Sequence, residues 1–245
     1  LGCVFGQKQH GLSIIYWWKI VKKVLWTLNI DNYAPEITAL TYPLLKQYAH
    51  KIGADFQIIS ERKFPNFPPV YEKLQIFELG KDLDWNIYID SDALVHPDMF
   101  DPTDHIHKDT VLHNACDLAG NRWRYDRFFR RDGRHIGSCN WFAVASDWCI
   151  DLWKPLDDLT LDEAVANIFI TQSERNSGEI QASHLIDDYT LSRNIAKFGL
   201  KFETLTDIKR KRGDTTDYLW HVYTLPVTEK VKRIQNVLKN WGITL

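Results

Sequence analysis

Between residues 23 and 92 strand-like and helix-like segments alternate, and no other feature of the sequence constrains the fold as tightly. Residues 24–30 (VLWTLNI) form a β-rich run that ends on Asp31 and Asn32. Pro35 marks a helix start, and the helical pattern runs to about Lys51, before Gly53. Pro43 falls inside it and predicts a kink or a broken start. Residues 55–60 (DFQIIS) read as a second strand. Residues 70–79 read as a helix with Val70, Leu74 and Phe77 on one face, and 85–90 (WNIYID) as a third strand. Strand–helix–strand–helix–strand implies a parallel sheet with helices on its faces. In such sheets ligands bind beyond the carboxyl ends of the strands, which brings residues 29–33 and 90–92 to one crevice.

The second half is less regular. Residues 138–146 predict a strand, 147–153 a short helix and 161–171 another helix. Residues 185–198 predict a helix stopped at Gly199, and 201–205 a strand. Residues 229–241 read as a helix capped by Thr228 and stopped by Gly242. Residues 99–137 and 206–219 read as long loops, which in a compact domain carry function or disorder. Residues 1–22 read as an N-terminal appendage and 23–245 as one catalytic domain. The apolar run 12–21 is broken by Lys19, is about half the length a membrane span needs, and lacks the leader and cleavage site of a signal peptide.

With 44% hydrophobic and 25% charged residues the chain is not a disordered one, and a net charge of −2 excludes a polyelectrolyte built for nucleic acid. None of the four cysteines forms a CxxC pair, which argues against a thiolate zinc site and a disulfide scaffold and favours a reducing compartment.

The strongest chemical signal is Asp90-Ser91-Asp92, directly after the apolar strand WNIYI. Two carboxylates one residue apart at a strand end can hold a hard divalent cation through oxygen ligands. The plainer reading is a solvated turn that caps the next segment.

The run YEKLQIFELGKDLDWNIYIDSDALV resembles the core of GT-A-type nucleotide-sugar glycosyltransferases, and is most similar to the glycogenin-like and galactosyl/mannosyltransferase branches. The resemblance extends upstream through VLWTLNIDNYAPEITAL, and downstream through SCNWFAVASDW, IDDYTLSRNIAKFGLKF and LWHVYTLPVTEK. It implies an α/β, Rossmann-like GT-A fold with a central, mostly parallel mixed sheet flanked by helices. It implies a metal-dependent transfer of a sugar from a nucleotide-diphospho-sugar, with a lean to UDP, to a hydroxyl acceptor. A retaining outcome is slightly favoured, since the nearest branches are retaining.

Carried onto this sequence, the resemblance gives Asp90, Asp92 and His221 as ligands of Mn²⁺ or Mg²⁺. Thr27, Asn29 and Tyr33 would touch the uracil and ribose, Lys73 would reach the donor, and Ser91 would line its site. Asp187 and Asp188 would act on the acceptor side, unassigned between themselves; their plainer reading is charge compensation in the first turn of a helix. Asn140 falls where the family has a sugar-facing Asn-x-Gly, but here Trp141 follows and no Gly does.

Three other readings stay open. A haloacid-dehalogenase-type phosphatase also uses a strand ending Asp-x-Asp, but on its first strand and with Thr or Val where Leu94 stands. A nucleic-acid-binding domain would use the six arginines among aromatics at 122–134, while the shorter basic cluster 209–212 reads as a solvated loop. His105, His107, His113 and Cys116 invite zinc, at irregular spacing. The absence of a membrane span in the sequence fits a cytoplasmic enzyme.

Overall fold

The structure is a computed structural model that describes residues 21–115, 138–177, 181–221 and 225–243, with the backbone alone at 138–140 and 177. The appendage expected at 1–22 therefore lies almost wholly outside the described residues, as do Cys116 and the arginine-rich stretch 122–134.

Strand β1 (Lys23–Leu28) is followed by helix α1 (Pro35–Lys51) and strand β2 (Asp55–Ile59). Helix α1 runs unbroken through Pro43. A 3₁₀ segment (Pro69–Gln75) then leads into the single turn α2 (Ile76–Leu79) and strand β3 (Trp85–Ile89). All five residues of β3 are buried, so the strand is covered on both faces. A short strand β4 (Ala93–Val95), strand β5 (Thr110–Ala115) and strand β6 (Ser138–Ser146) follow. The second half adds α3 (Leu161–Val165), α4 (Gln172–Ser177), α5 (Ile186–Phe198), β7 (Lys201–Thr204), α6 (Leu205–Lys211), β8 (Leu219–His221) and α7 (Val227–Asn240).

Six strands form the main sheet in the order β2-β1-β3-β6-β5-β7, and β4 pairs with β8 in a separate two-stranded sheet. Strand β1 is parallel to β2 and β3, and β5 is parallel to β7; β6 runs antiparallel to β3 and β5. The sheet is thus mixed and mostly parallel, with helices on its faces. One apolar cluster packs Trp26, Tyr88 and Ala143 against Ile186, Tyr189 and Ile195 of α5. A second packs Leu25, Ile87 and Val144 against Leu45 and Tyr48 of α1. From β1 the chain passes to β2 on one side and later to β3 on the other, so the order reverses at β1 and opens a crevice beyond the carboxyl ends of β1 and β3.

Several expectations need correction. The helix expected at 161–171 ends at Val165; Ile168 and Ile170 are both buried, and a spacing of two is one that a helix face cannot bury together. The loop expected at 206–219 begins with α6, whose N-cap Thr204 accepts from the Asp207 amide at 3.0 Å. The loop expected at 99–137 contains β5. Helix α7 starts at Val227 with Pro226 as its N-cap, so Thr228 lies inside the first turn rather than capping it.

Candidate metal centre and donor crevice

The turn after β3 carries Asp90-Ser91-Asp92 and is fixed from three sides. The Asp90 N–H donates to the Trp141 carbonyl of β6 at 2.9 Å, and the Ala93 N–H donates to the Asp90 carbonyl at 3.1 Å. Thr41 Oγ1 of α1 donates to the Ser91 carbonyl at 2.6 Å. Strand β8 then pairs with β4 so that His221 stands opposite Ala93, beside Asp92. His221 Nε2 lies 3.1 Å from Asp92 Oδ1 and 3.8 Å from Asp90 Oδ2. One ligand atom from each of Asp90, Asp92 and His221 falls within 4.8 Å of the others. Two carboxylates and an imidazole form a donor set that suits Mn²⁺ or Mg²⁺, so the residues present fit the expected cation.

Lys230 adds a cation that the sequence did not single out. Lys230, Ile234 and Leu238 are the buried residues of α7 and recur every four positions, one face of the helix. Ile234 and Leu238 pack on Ile37 and Leu44 of α1, and the same face carries the Lys230 ammonium to Asp92 Oδ2 at 2.5 Å and to Tyr33 Oη at 3.2 Å. Burial raises the Asp92 pKa, but His221 and Lys230 outweigh it and hold the carboxyl at about 2. A lysine nine residues after a candidate ligand, at the spacing of a helix's buried face, was the available signal.

Lys73 sits deeper than expected. Only 1% exposed, its ammonium contacts Asp187 Oδ2 at 2.7 Å and Asp90 Oδ1 at 3.3 Å. It also lies over the Tyr88 ring at 4.5 Å, and the Tyr88 hydroxyl donates to Asp90. Burial lowers the Lys73 pKa, but the two carboxylates outweigh it, and the net shift is upward. Asp187 is 1% exposed, and burial raises its pKa to about 6 against the opposing pull of Lys73. Its Oδ1 is buried with no hydrogen-bond partner among the described residues. Asp188 is 5% exposed in the same first turn of α5. The structure therefore joins α5 to the Asp90 turn through one buried lysine.

The other expected donor residues divide. Tyr33 is 40% exposed at the rim, next to the Lys230–Asp92 pair. Asp31, Asn32 and Ala34 beside it have φ of 56°, 54° and 39°. For Ala34 this left-handed backbone is strained, and such strain clusters at ligand sites. Asn29 donates its N–H to the Ile59 carbonyl at 2.9 Å, and its Oδ1 is buried without a partner among the described residues. Thr27 is fully buried on the Leu25 side of β1, facing the α1 layer, and its Oγ1 has no hydrogen-bond partner among the described residues. The Asn140 side chain lies outside the described residues.

The rival readings find less support. The histidines suggested for zinc are apart: His105 meets Arg212, His107 pairs with Asp109, and His113 is buried in β5. Among the described residues, Asp90/Asp92/His221 is the group that could hold a metal. The basic cluster 209–212 forms the end of α6 and lies against Asp217, Asp207, Glu203 and His105, respectively. The Asp-x-Asp follows the third strand, not the first as in the phosphatase pattern. No helix among the described residues is long and apolar enough to cross a membrane.

No family model and no curated protein matches the sequence. Among solved structures, the chain is similar to a glycosyltransferase involved in glycosylation of the major capsid of PBCV-1. The identity is 10%, with 87% of this chain and 99% of that one covered and a TM-score of 0.50. It also matches the galactosyltransferase LgtC in complex with donor and acceptor sugar analogues, at 13% identity, covering 90% and 97% of the chains with a TM-score of 0.48. A Drosophila β-galactosyltransferase 7 mutant in complex with manganese, UDP-Gal and xylobiose matches at 12% identity, over 83% and 71%, with a TM-score of 0.44. At such identities the likeness is one of fold, and it rests on the first of these. The chain has a GT-A-like glycosyltransferase fold with a candidate Asp/Asp/His metal cluster at the crevice.

Proposed function

We propose that the chain is a metal-dependent glycosyltransferase that moves a sugar from a nucleotide-diphospho-sugar to a hydroxyl acceptor. The observation that carries this reading is the convergence of Asp90, Asp92 and His221 at the reversal point of a GT-A-like sheet. The three side chains would hold Mn²⁺ or Mg²⁺, which when bound neutralises the diphosphate and supplies Lewis acidity to the leaving group.

The chain's own residues supply the rest. Lys230, buried beside Asp92, offers a second positive charge to the diphosphate. Tyr33 presents an exposed ring to the base at the rim. Lys73 holds Asp90 and Asp187 in fixed relation. Asp187 Oδ1, an acceptor atom without a partner among the described residues, would take a hydrogen bond from a sugar or acceptor hydroxyl. With Asp188 it forms the acidic end of the acceptor side.

The test is calorimetric titration of UDP, GDP, CDP and ADP, each with Mn²⁺ and with EDTA, on the unaltered chain and on Asp92→Asn. Binding of one nucleotide only with Mn²⁺, lost in Asp92→Asn, supports the reading and names the base. Equal binding in EDTA, or metal-dependent binding that survives Asp92→Asn, overturns the metal-site assignment.

A further inference from the structure

Trp141 follows Asn140, at the unrestricted middle position of the stretch that lacks the family's Asn-x-Gly glycine, and the structure places it against the candidate metal cluster. The antiparallel register of β6 with β3 sets Phe142 opposite Ile89, which brings the Trp141 carbonyl to the Asp90 N–H at 2.9 Å. Its half-buried indole lies on the His221 imidazole, with ring centroids 5.0 Å apart and planes 17° from parallel. One residue thus touches two of the three candidate ligands by different means.

We propose that Trp141 is a positioning residue of the metal centre, holding the His221 ring plane through its indole and Asp90 through its backbone. The proposal rests on the metal-centre reading above. The β4–β8 register fixes the His221 backbone but leaves its ring torsion open, and that torsion is broad and roughly two-fold. A flat wall parallel to the imidazole opposes the tilting rotations that would swing the ring plane, and Nε2 with it, away from Asp92. The stack also favours the ligated state. An imidazole that gives its lone pair to a cation becomes electron-poor, and the electron-rich indole face attracts it. An aliphatic side chain at this position supplies bulk without the face. Contacts that orient ligands in this way typically change metal affinity about 10–100-fold when removed.

The experiment is a Mn²⁺ titration followed by the EPR signal of the free ion. It compares the unaltered chain with Asp92→Asn, Trp141→Phe, Trp141→Leu and Trp141→Met. Circular dichroism reports folding, and the His221 imidazole resonances of the metal-free protein report the stack. Trp141→Leu and Trp141→Met should weaken Mn²⁺ binding about tenfold or more and lose the upfield ring-current shift, while Trp141→Phe stays within about threefold. Three results overturn the proposal: a folded aliphatic variant that binds Mn²⁺ like the unaltered chain, a Phe variant as weak as the Leu variant, or failure of both aliphatic variants to fold, which makes the indole a packing element. If the unaltered chain and Asp92→Asn bind Mn²⁺ equally poorly, the metal-centre reading itself falls, a failure distinct from the first three.

Discussion

Acidification should destabilise this chain through His113. The residue lies in β5 on the same face as Val111, fully buried, with its ring 6.2 Å from that of Phe202. Among the described residues, neither ring nitrogen has a hydrogen-bond partner. Burial alone therefore sets its behaviour and holds the imidazole pKa down at about 3, against an ordinary 6.5. Between those values the unfolded chain binds a proton that the folded chain refuses. Stability is undiminished above pH 6.5 and is lost as the pH falls from there toward 3. The loss from this one group is about 2 kcal/mol at about pH 5, rising to about 4 kcal/mol near pH 3. Domains of this kind are stable by only about 5–15 kcal/mol, so the effect is large. The assay is urea unfolding at about pH 7.5 and about pH 5, on the unaltered chain and on His113→Leu, which removes the titration and both orphan nitrogens. Other groups titrating in the window cancel in the comparison, because they are common to both proteins. The stability difference should shift by about 2 kcal/mol in favour of the variant at the lower pH. A difference that stays the same at both pH values would refute the reasoning.

The candidate metal cluster, the loop around Glu72 and the β3 strand each make a further demand. Asp92→Ala should cost about 3 kcal/mol or more, since it leaves the buried Lys230 ammonium without its carboxylate, and Lys230→Met in the same chain should restore most of that; strictly additive melting losses would refute the pairing. Glu72→Ala should cost about 2–3 kcal/mol and speed amide exchange at residues 63 and 64, because the fully buried carboxylate accepts from both amides and faces Arg62; unchanged protection would remove the carboxylate's role in fixing that loop. Gly80→Ala should lower stability by about 1–3 kcal/mol, seen in the urea midpoint, because its Cβ would fall 2.1 Å from Asn86 Oδ1. Asn86 has no room to yield: it is fully buried, accepting from the Trp26 indole and donating to the Gly80 carbonyl. An unchanged midpoint would show that it can move.

The parts of this molecule legible in its sequence are those in which one short segment carries its own signal. Helix α1 begins and ends where the pattern put it, and β3 with Asp90 and Asp92 at its end could be read from WNIYIDSD alone. The pairing of strands β4 and β8 is not legible because three residues each give no periodicity, yet that pairing is what delivers His221 to Asp92 across 129 positions. The burial of Thr27 and Lys73 is not visible in their place in a motif, because burial is set by what packs above a position. Thr27 faces the α1 layer, and Lys73 is enclosed by Asp187 of α5 and Tyr88 of β3. The same enclosure revises Asp92, which a strand-end position suggests is open to water. It is 7% exposed, and its carboxylate already pairs with the Lys230 ammonium and lies 3.1 Å from His221 Nε2 before any ion arrives. A cation entering this site must therefore compete with an ammonium for Asp92. A diphosphate arriving with the cation would give that ammonium a new partner, so metal and nucleotide should each strengthen the other's binding. Lys230→Met should weaken this mutual strengthening while leaving Mn²⁺ alone bound at least as tightly as before. Mn²⁺ titrations with and without the nucleotide test it, and equal coupling in both proteins would exclude Lys230 as the link.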